Sequence, residues 1–159
     1  MFARQLQVQN VGLYAVVIIS STFLLFTALG PGIIENSLAH PLSWQYLIFD
    51  ALCHQDTLRS YHINMNQMAV CSRCFGIYSS FFAGWLLLPA LAFIRYPTEK
   101  LKKTFLIAAI LLNSTDVIAN FFNVWTNTLN SRFLLGALLG LAIAFFLAES
   151  FFKQIKSEY

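Results

Sequence analysis

The sequence predicts an all-α membrane protein, with four transmembrane helices and a short interfacial helix in the first outer loop. Three observations carry that expectation. The 159 residues are 58% hydrophobic and 11% charged, with a mean hydropathy of +0.65; a soluble domain carries about a quarter charged residues. The apolar residues gather in runs near 20 long, the length that crosses about 30 Å of hydrocarbon. The basic residues collect in the segments on one side of those runs.

Residues 11–30, VGLYAVVIISSTFLLFTALG, form the first span. A cleaved signal peptide is the rival reading, but its apolar region runs to only about 7–15 residues. Pro31-Gly32 stops the helix, because proline lacks an amide donor and glycine accepts left-handed geometry. Residues 33–73 form a mixed loop. Within it, Trp44, Leu47, Ile48, Ala51 and Leu52 recur at helical spacing over 42–52. That spacing predicts a helix in the interface or against the bundle, with Trp44 and Tyr46 at headgroup depth. A turn is expected at Asn64 to Asn66. Residues 74–94 form the second span, kinked at Pro89, and 95–103 a short basic connection.

Residues 104–122 form the third span and carry Asn113, Asp116 and Asn120 on one helical face, at i, i+3 and i+7. An asparagine-rich loop over 123–132 leads to the fourth span, 133–152. There Gly136 and Gly140 have the small-xxx-small spacing that lets another helix approach closely, so a homo-oligomer through these two glycines is expected. Residues 1–159 form one polytopic domain without internal repeats. The lipid bilayer is its expected partner. A net charge of +3 is too small to point to nucleic acid.

Four spans place both termini and the 95–103 loop on one side, with Arg4, Arg95, Lys100, Lys102, Lys103, Lys153 and Lys156. Arg59, Arg73 and Arg132 fall on the other. The positive-inside rule then puts both termini in the cytoplasm, as a multi-pass inner-membrane protein. The 33–73 loop faces the oxidising exterior.

The stretch from Cys53 to Tyr78, running from that loop into the second span, holds the chemistry: all three cysteines, Cys53, Cys71 and Cys74, with His54 and His62. An odd cysteine count leaves a metal site, a redox pair with a spare thiol, or inert buried thiols. Cys71-x-x-Cys74 can clasp one zinc ion, with Cys53 and either His54 or His62 completing four ligands. The same CxxC at the top of a helix suits thiol–disulfide exchange, with Arg73 lowering a thiol pKa. Four-helix quinone-linked thiol oxidases share this layout, although they use a second cysteine pair. Cys74 is followed by Phe75, so haem attachment is disfavoured. His40, beside Pro41, reads as an ordinary interfacial histidine. Asp116 lies about 18 Å along the third span, in its outer half. An acid within lipid is expensive and marks either a catalytic or ion-handling group or a lock pairing with Arg73 or Arg132.

Cys53-His54-Gln55, then Arg59-Ser60, then Cys71-x-Arg73-Cys74-x-Gly76-Ile77-Tyr78 resembles a family of small prokaryotic membrane proteins of unknown function, whose signature reads CHQ…RS…CxRCxGIY. Asp116 and the Arg132, Gly136, Gly140 run fit it too, and the likeness covers about residues 45–145. It implies a polytopic membrane protein and groups these residues into one site. It also implies His54 as the fourth metal ligand beside Cys53, Cys71 and Cys74. Zinc is the expected metal, with Arg59, Arg73 and Arg132 as candidate cofactor-binding or orienting groups and Asp116 the candidate catalytic residue.

Overall fold

The computed structural model describes residues 5–8, 10–33, 44–94, 98–148 and 151–155. His40 and Pro41 lie outside them, as do Arg4, Arg95 and Lys156 of the basic set. In chain order the elements are β1 (Gln5–Val8), α1 (Val11–Ala28), a 3-10 turn (Pro31–Ile33), α2 (Trp44–Phe49), a second 3-10 turn (Thr57–Arg59), β2 (His62–Ile63), β3 (Asn66–Gln67), α3 (Ser72–Ile94), α4 (Glu99–Phe121), α5 (Leu129–Leu147) and β4 (Phe152–Ile155). The chain is mostly helical, and α1, α4 and α5 are long and apolar enough to cross a membrane.

α1 ends at Ala28, two residues earlier than Pro31-Gly32 suggests. Gly30 takes the left-handed turn at φ +77°, and its amide donates to Thr27 O at 3.1 Å. A Cβ at Gly30 would also sit 2.9 Å from the Ala69 amide nitrogen, so this position brings the end of α1 against the loop that carries the cysteines. Gly32 is needed for closeness instead: its Cβ would fall 2.3 Å from Ile63 O.

Other boundaries shift for local reasons. α2 is shorter than the 42–52 run, and it buries Gln45 and Phe49 while Trp44, Leu47 and Ile48 stay 51%, 61% and 45% exposed. Its apolar face therefore points outward, as an interfacial helix requires. α3 starts at Ser72 rather than Cys74. α4 starts at Glu99 rather than 104, so Glu99 to Lys103 form its first turn and not a connection; Lys103 pairs with Glu99 at 2.5 Å. α5 begins at Leu129, where Thr128 Oγ1 accepts from the Ser131 amide at 3.2 Å, and closes at Leu147 instead of 152.

The strands are a departure from the all-α expectation. β1 and β4 pair antiparallel, Gln5 against Ile155 and Val8 against Phe152, so the two ends of the chain meet. β2 and β3 form a minimal hairpin whose two turn residues, Asn64 and Met65, have φ of 48° and 63°. Both central residues at positive φ is the geometry that matches strand twist in a two-residue loop. This hairpin is the turn expected at Asn64 to Asn66.

The tightest seam joins α3 to α5 and is built on glycine. A Cβ at Gly136 would fall 2.1 Å from Arg73 O, at Gly140 2.2 Å from Ser80 Oγ, and at Gly76 2.2 Å from Phe133 O. Gly136 and Gly140 are thus taken up by α3 of the same chain, not left for a second copy. α4 joins through Asn113, whose Nδ2 donates to Leu135 O on α5 at 2.9 Å.

A polar contact ties α1 to α3. Pro89 lies inside α3 and has no N–H, which leaves the Trp85 carbonyl, four residues earlier, without its helical partner. Tyr14 Oη donates to that carbonyl at 2.7 Å. An unmet carbonyl in hydrocarbon is costly, so Tyr14→Phe should destabilise by about 1–3 kcal/mol. In a Pro89→Ala background the helix supplies its own donor and the same change should cost much less. Thermal unfolding of the four proteins in detergent measures that coupling; equal costs in both backgrounds would refute the pairing.

Candidate metal centre

The cysteines come from two segments brought together at one end of the bundle. Cys53 follows α2, and its amide donates to Phe49 O at 2.8 Å, so the helix end sets its position. Cys71 immediately precedes α3 and Cys74 lies in its first turn. Ala28, Phe49, Ala69 and Val70, all fully buried, pack with the three cysteines. Apolar burial thus places the sulfurs, and Tyr78 closes the cluster with its ring 5.8 Å from that of Phe49.

Side-chain amides hold the loop between Cys53 and Cys71 in shape. Gln55, at φ +48°, donates through Nε2 to Tyr46 O at 2.7 Å, back onto α2. Gln67 Nε2 donates to Gln55 O at 2.5 Å, and Tyr46 Oη donates to Gln67 O at 2.6 Å. Ser60, buried, donates to Asp56 O at 2.8 Å. Tyr61 Oη reaches Asn130 on α5 at 2.8 Å. A left-handed non-glycine residue such as Gln55 costs about 1–3 kcal/mol and persists only where its surroundings impose it.

The ligand atoms of Cys53, Cys71 and Cys74 all lie within 4.8 Å of one another. Two sulfurs on one tetrahedral zinc, each at about 2.3 Å, are about 3.8 Å apart, so the trio is close enough for a single ion to gather. All three thiols are free. Cys53 is 6% exposed, and its Sγ accepts the Cys71 amide at 3.2 Å. The Cys71 thiol is held well below the usual thiol range, first by hydrogen bonding with Cys53 and then with Cys74. A cation between the three sulfurs would offset the repulsion that arises when neighbouring thiols ionise together.

His54 follows Cys53 directly but is exposed, and it is not in that sulfur group. His62 is exposed on β2. Asp116 is also apart from the sulfurs. It is 4% exposed on α4, and its Oδ2 accepts both from Arg73 Nη2 and, at 2.7 Å, from Asn127 Nδ2. Asn127 was hidden in sequence among the asparagines that follow α4; their density after an acid-bearing span was the available signal. Arg132 Nη2 donates to Asn120 Oδ1 at 3.1 Å. The polar face of α4 therefore turns inward as a unit, while Val117, Ile118 and Phe121 remain 48%, 57% and 78% exposed. Arg59, Arg73 and Arg132 line one hollow beside this face.

Comparison with known proteins follows the same boundaries. Residues 53–146 match the family described as "Predicted membrane protein (DUF2085)", a match that begins at Cys53 and ends within α5. An uncharacterized protein of Methanocaldococcus jannaschii is 30% identical over 116 residues, covering 72% of each chain. No solved structure matches. The chain belongs to the DUF2085 family of predicted membrane proteins.

Proposed function

We propose that this protein is a four-span inner-membrane protein that holds one zinc ion between Cys53, Cys71 and Cys74 at the extracytoplasmic end of its bundle. The observation that carries the reading is the convergence of three sulfurs from two segments within 4.8 Å. The amide that Cys71 donates to Cys53 Sγ adds to it, because it ties the two cysteine-bearing segments together at the sulfur. Three protein thiolates leave one of four tetrahedral positions to a further ligand. His54, next to Cys53, takes that place if its ring turns inward; otherwise it belongs to solvent or to a bound molecule.

Four crossings are supported by the β1–β4 ladder, which joins the two ends of the chain as an even number of spans requires. α3, the fourth long helix, runs 23 residues along α5. With both termini cytoplasmic, a reporter fused to the C-terminus reads as cytoplasmic. Asp116 enters this reading as the anchor of Arg73 and not as a reacting acid, since one of its oxygens already takes two donors.

Metal analysis of protein purified without chelator tests the proposal. The wild type should carry about one zinc per chain, Cys71→Ser should lose it, and His54→Ala tells whether the imidazole completes the shell. Absence of stoichiometric metal from folded wild type would remove the reading.

One observation favours a second reading. Cys71 is half-buried, with a depressed thiol pKa, and lies beside Cys74. That is the setting of an exchanging thiol. Cys71 and Cys74 would then form a disulfide as two electrons and two protons pass to a quinone or partner disulfide. Thiol trapping in intact cells separates the two, because metal-held cysteines stay reduced and cycling ones appear in both states.

A further inference from the structure

The hollow beside the sulfur cluster has its own chemistry. It measures ≈290 Å³, where a water molecule's share of liquid volume is about 30 Å³. Its polar wall is Arg59, Arg73, Arg132, Asn120 and Asn123. The three guanidiniums come from separate parts of the chain: the second 3-10 turn, the first turn of α3 and the first turn of α5. Bringing like charges together is unfavourable unless an anion compensates them.

The chain compensates them incompletely. Asp116 accepts from Arg73, and Asp56 pairs with Arg59 at 3.0 Å in an ion pair that is 36% and 54% exposed, and so heavily screened. Arg132 meets an amide oxygen, at Asn120, and no carboxylate among the described residues. It lies within electrostatic range of Arg59 and Arg73, which disfavour its charge, and of Asp116 and Cys71, which favour it. Arg73 Nε is buried with no partner among the described residues. Two carboxylates, one of them in a screened pair, answer three guanidiniums, and the forked donors of arginine suit the oxygens of a phosphate.

The remaining wall indicates what carries that phosphate. Val117 and Phe121 line the hollow and are 48% and 78% exposed on the outward side of α4. That face is apolar along its length, through Leu111, Leu112 and Ile118. A hollow with arginine on one side and a lipid-facing apolar helix on the other accommodates an anionic head with a hydrocarbon tail.

We propose that Arg59, Arg73 and Arg132 form a binding site for a phosphate group, borne by a membrane lipid with its chains against the Val117–Phe121 side of α4. The site does not depend on a metal at the cysteines. Free inorganic phosphate offers the same oxygens, so the test has an arm for each source. Full-length protein is placed in phosphatidylcholine nanodiscs containing phosphatidic acid or, as control, diacylglycerol, and in detergent with inorganic phosphate. Thermal unfolding reads binding. Phosphatidic acid should raise the midpoint, diacylglycerol should not, and Arg132→Gln should weaken the response about tenfold or more, the effect of losing a hydrogen bond to a charged group.

Arg59→Gln, at an exposed position, gives the same reading should Arg132→Gln fold poorly. A response to inorganic phosphate without one to phosphatidic acid would keep the phosphate site and overturn the lipid as its source. No response to either probe, or an undiminished response in Arg59→Gln, would overturn the site itself. Metal content measured on the same samples keeps this outcome separate from that of the zinc reading.

Discussion

Arg73→Ala is expected to destabilise the protein by about 3–5 kcal/mol, the cost of leaving a buried charge without its partner. The Asp116 side chain is 5% exposed and the Arg73 side chain 19%, and the pair joins α3 to α4 within the bundle. After the substitution Asn127 alone remains as a donor to the carboxylate. Asp116→Asn should cost less than Arg73→Ala, because it removes the charge while keeping an acceptor for both donors. The double variant Arg73→Ala/Asp116→Asn should cost less than the sum of the two. Unfolding midpoints in detergent, with protein yield as a second readout, measure all three. Strict additivity would show that the two side chains do not depend on each other. This experiment also addresses the reactive-acid reading of Asp116: a variant that stays folded at normal yield and loses only function would favour catalysis over the lock.

Gly136→Ala should have the second largest effect. The added carbon would fall 2.1 Å from Arg73 O, a backbone atom with no flexible end to yield. α3 and α5 would have to separate, and overpacking of this kind costs about 1–3 kcal/mol or more. The separation would also displace Arg73 and the first turn of α3, which carries Cys74. Gly136→Ala should therefore lower metal content as well as stability. Gly12→Ala is the control. Nothing lies within 4 Å of that position, and alanine in a helix is favoured over glycine by about 0.5–1 kcal/mol. Loss at both positions would mean that general helix perturbation, and not the α3–α5 seam, is being measured.

Much of the scaffold was legible because bilayer physics is local. Run length locates the apolar helices, and the i, i+3, i+7 spacing of Asn113, Asp116 and Asn120 places them on one face of α4, with Asn113 and Asp116 buried and Asn120 half-buried. Helix ends were less legible. Glu99 to Lys103 read as a basic connection because charges suggest a loop, yet a charged first turn can extend a span into the interface. The β1–β4 ladder left no clear signal, since its pairing spans almost the whole chain and four-residue strands carry little pattern. Tyr14 could not be matched to Trp85 from sequence, although Pro89 announces that some carbonyl lacks its donor. The three cysteines were readable as one cluster because their types and spacing restrict the chemistry. His54 was a different case: the family resemblance implied it as a ligand, and its exposed position is set by a loop whose shape depends on Gln55, Ser60 and Gln67.

The residues that carry the resemblance acquire physical content in this arrangement. Cys53, Cys71 and Cys74 supply the sulfurs, Gln55 clips the loop to α2, and Ser60 is buried beneath it. Arg59, Arg73 and Arg132 face one hollow. Gly76, Gly136 and Gly140 allow the backbone contact on which the position of Arg73 depends.

X-ray absorption at the zinc edge, on protein purified without chelator, tests the central claim most directly. The account predicts about three sulfur neighbours at about 2.3 Å and one lighter atom in the remaining tetrahedral position. A first shell made only of oxygen and nitrogen would contradict it, because the metal would then be bound away from Cys53, Cys71 and Cys74.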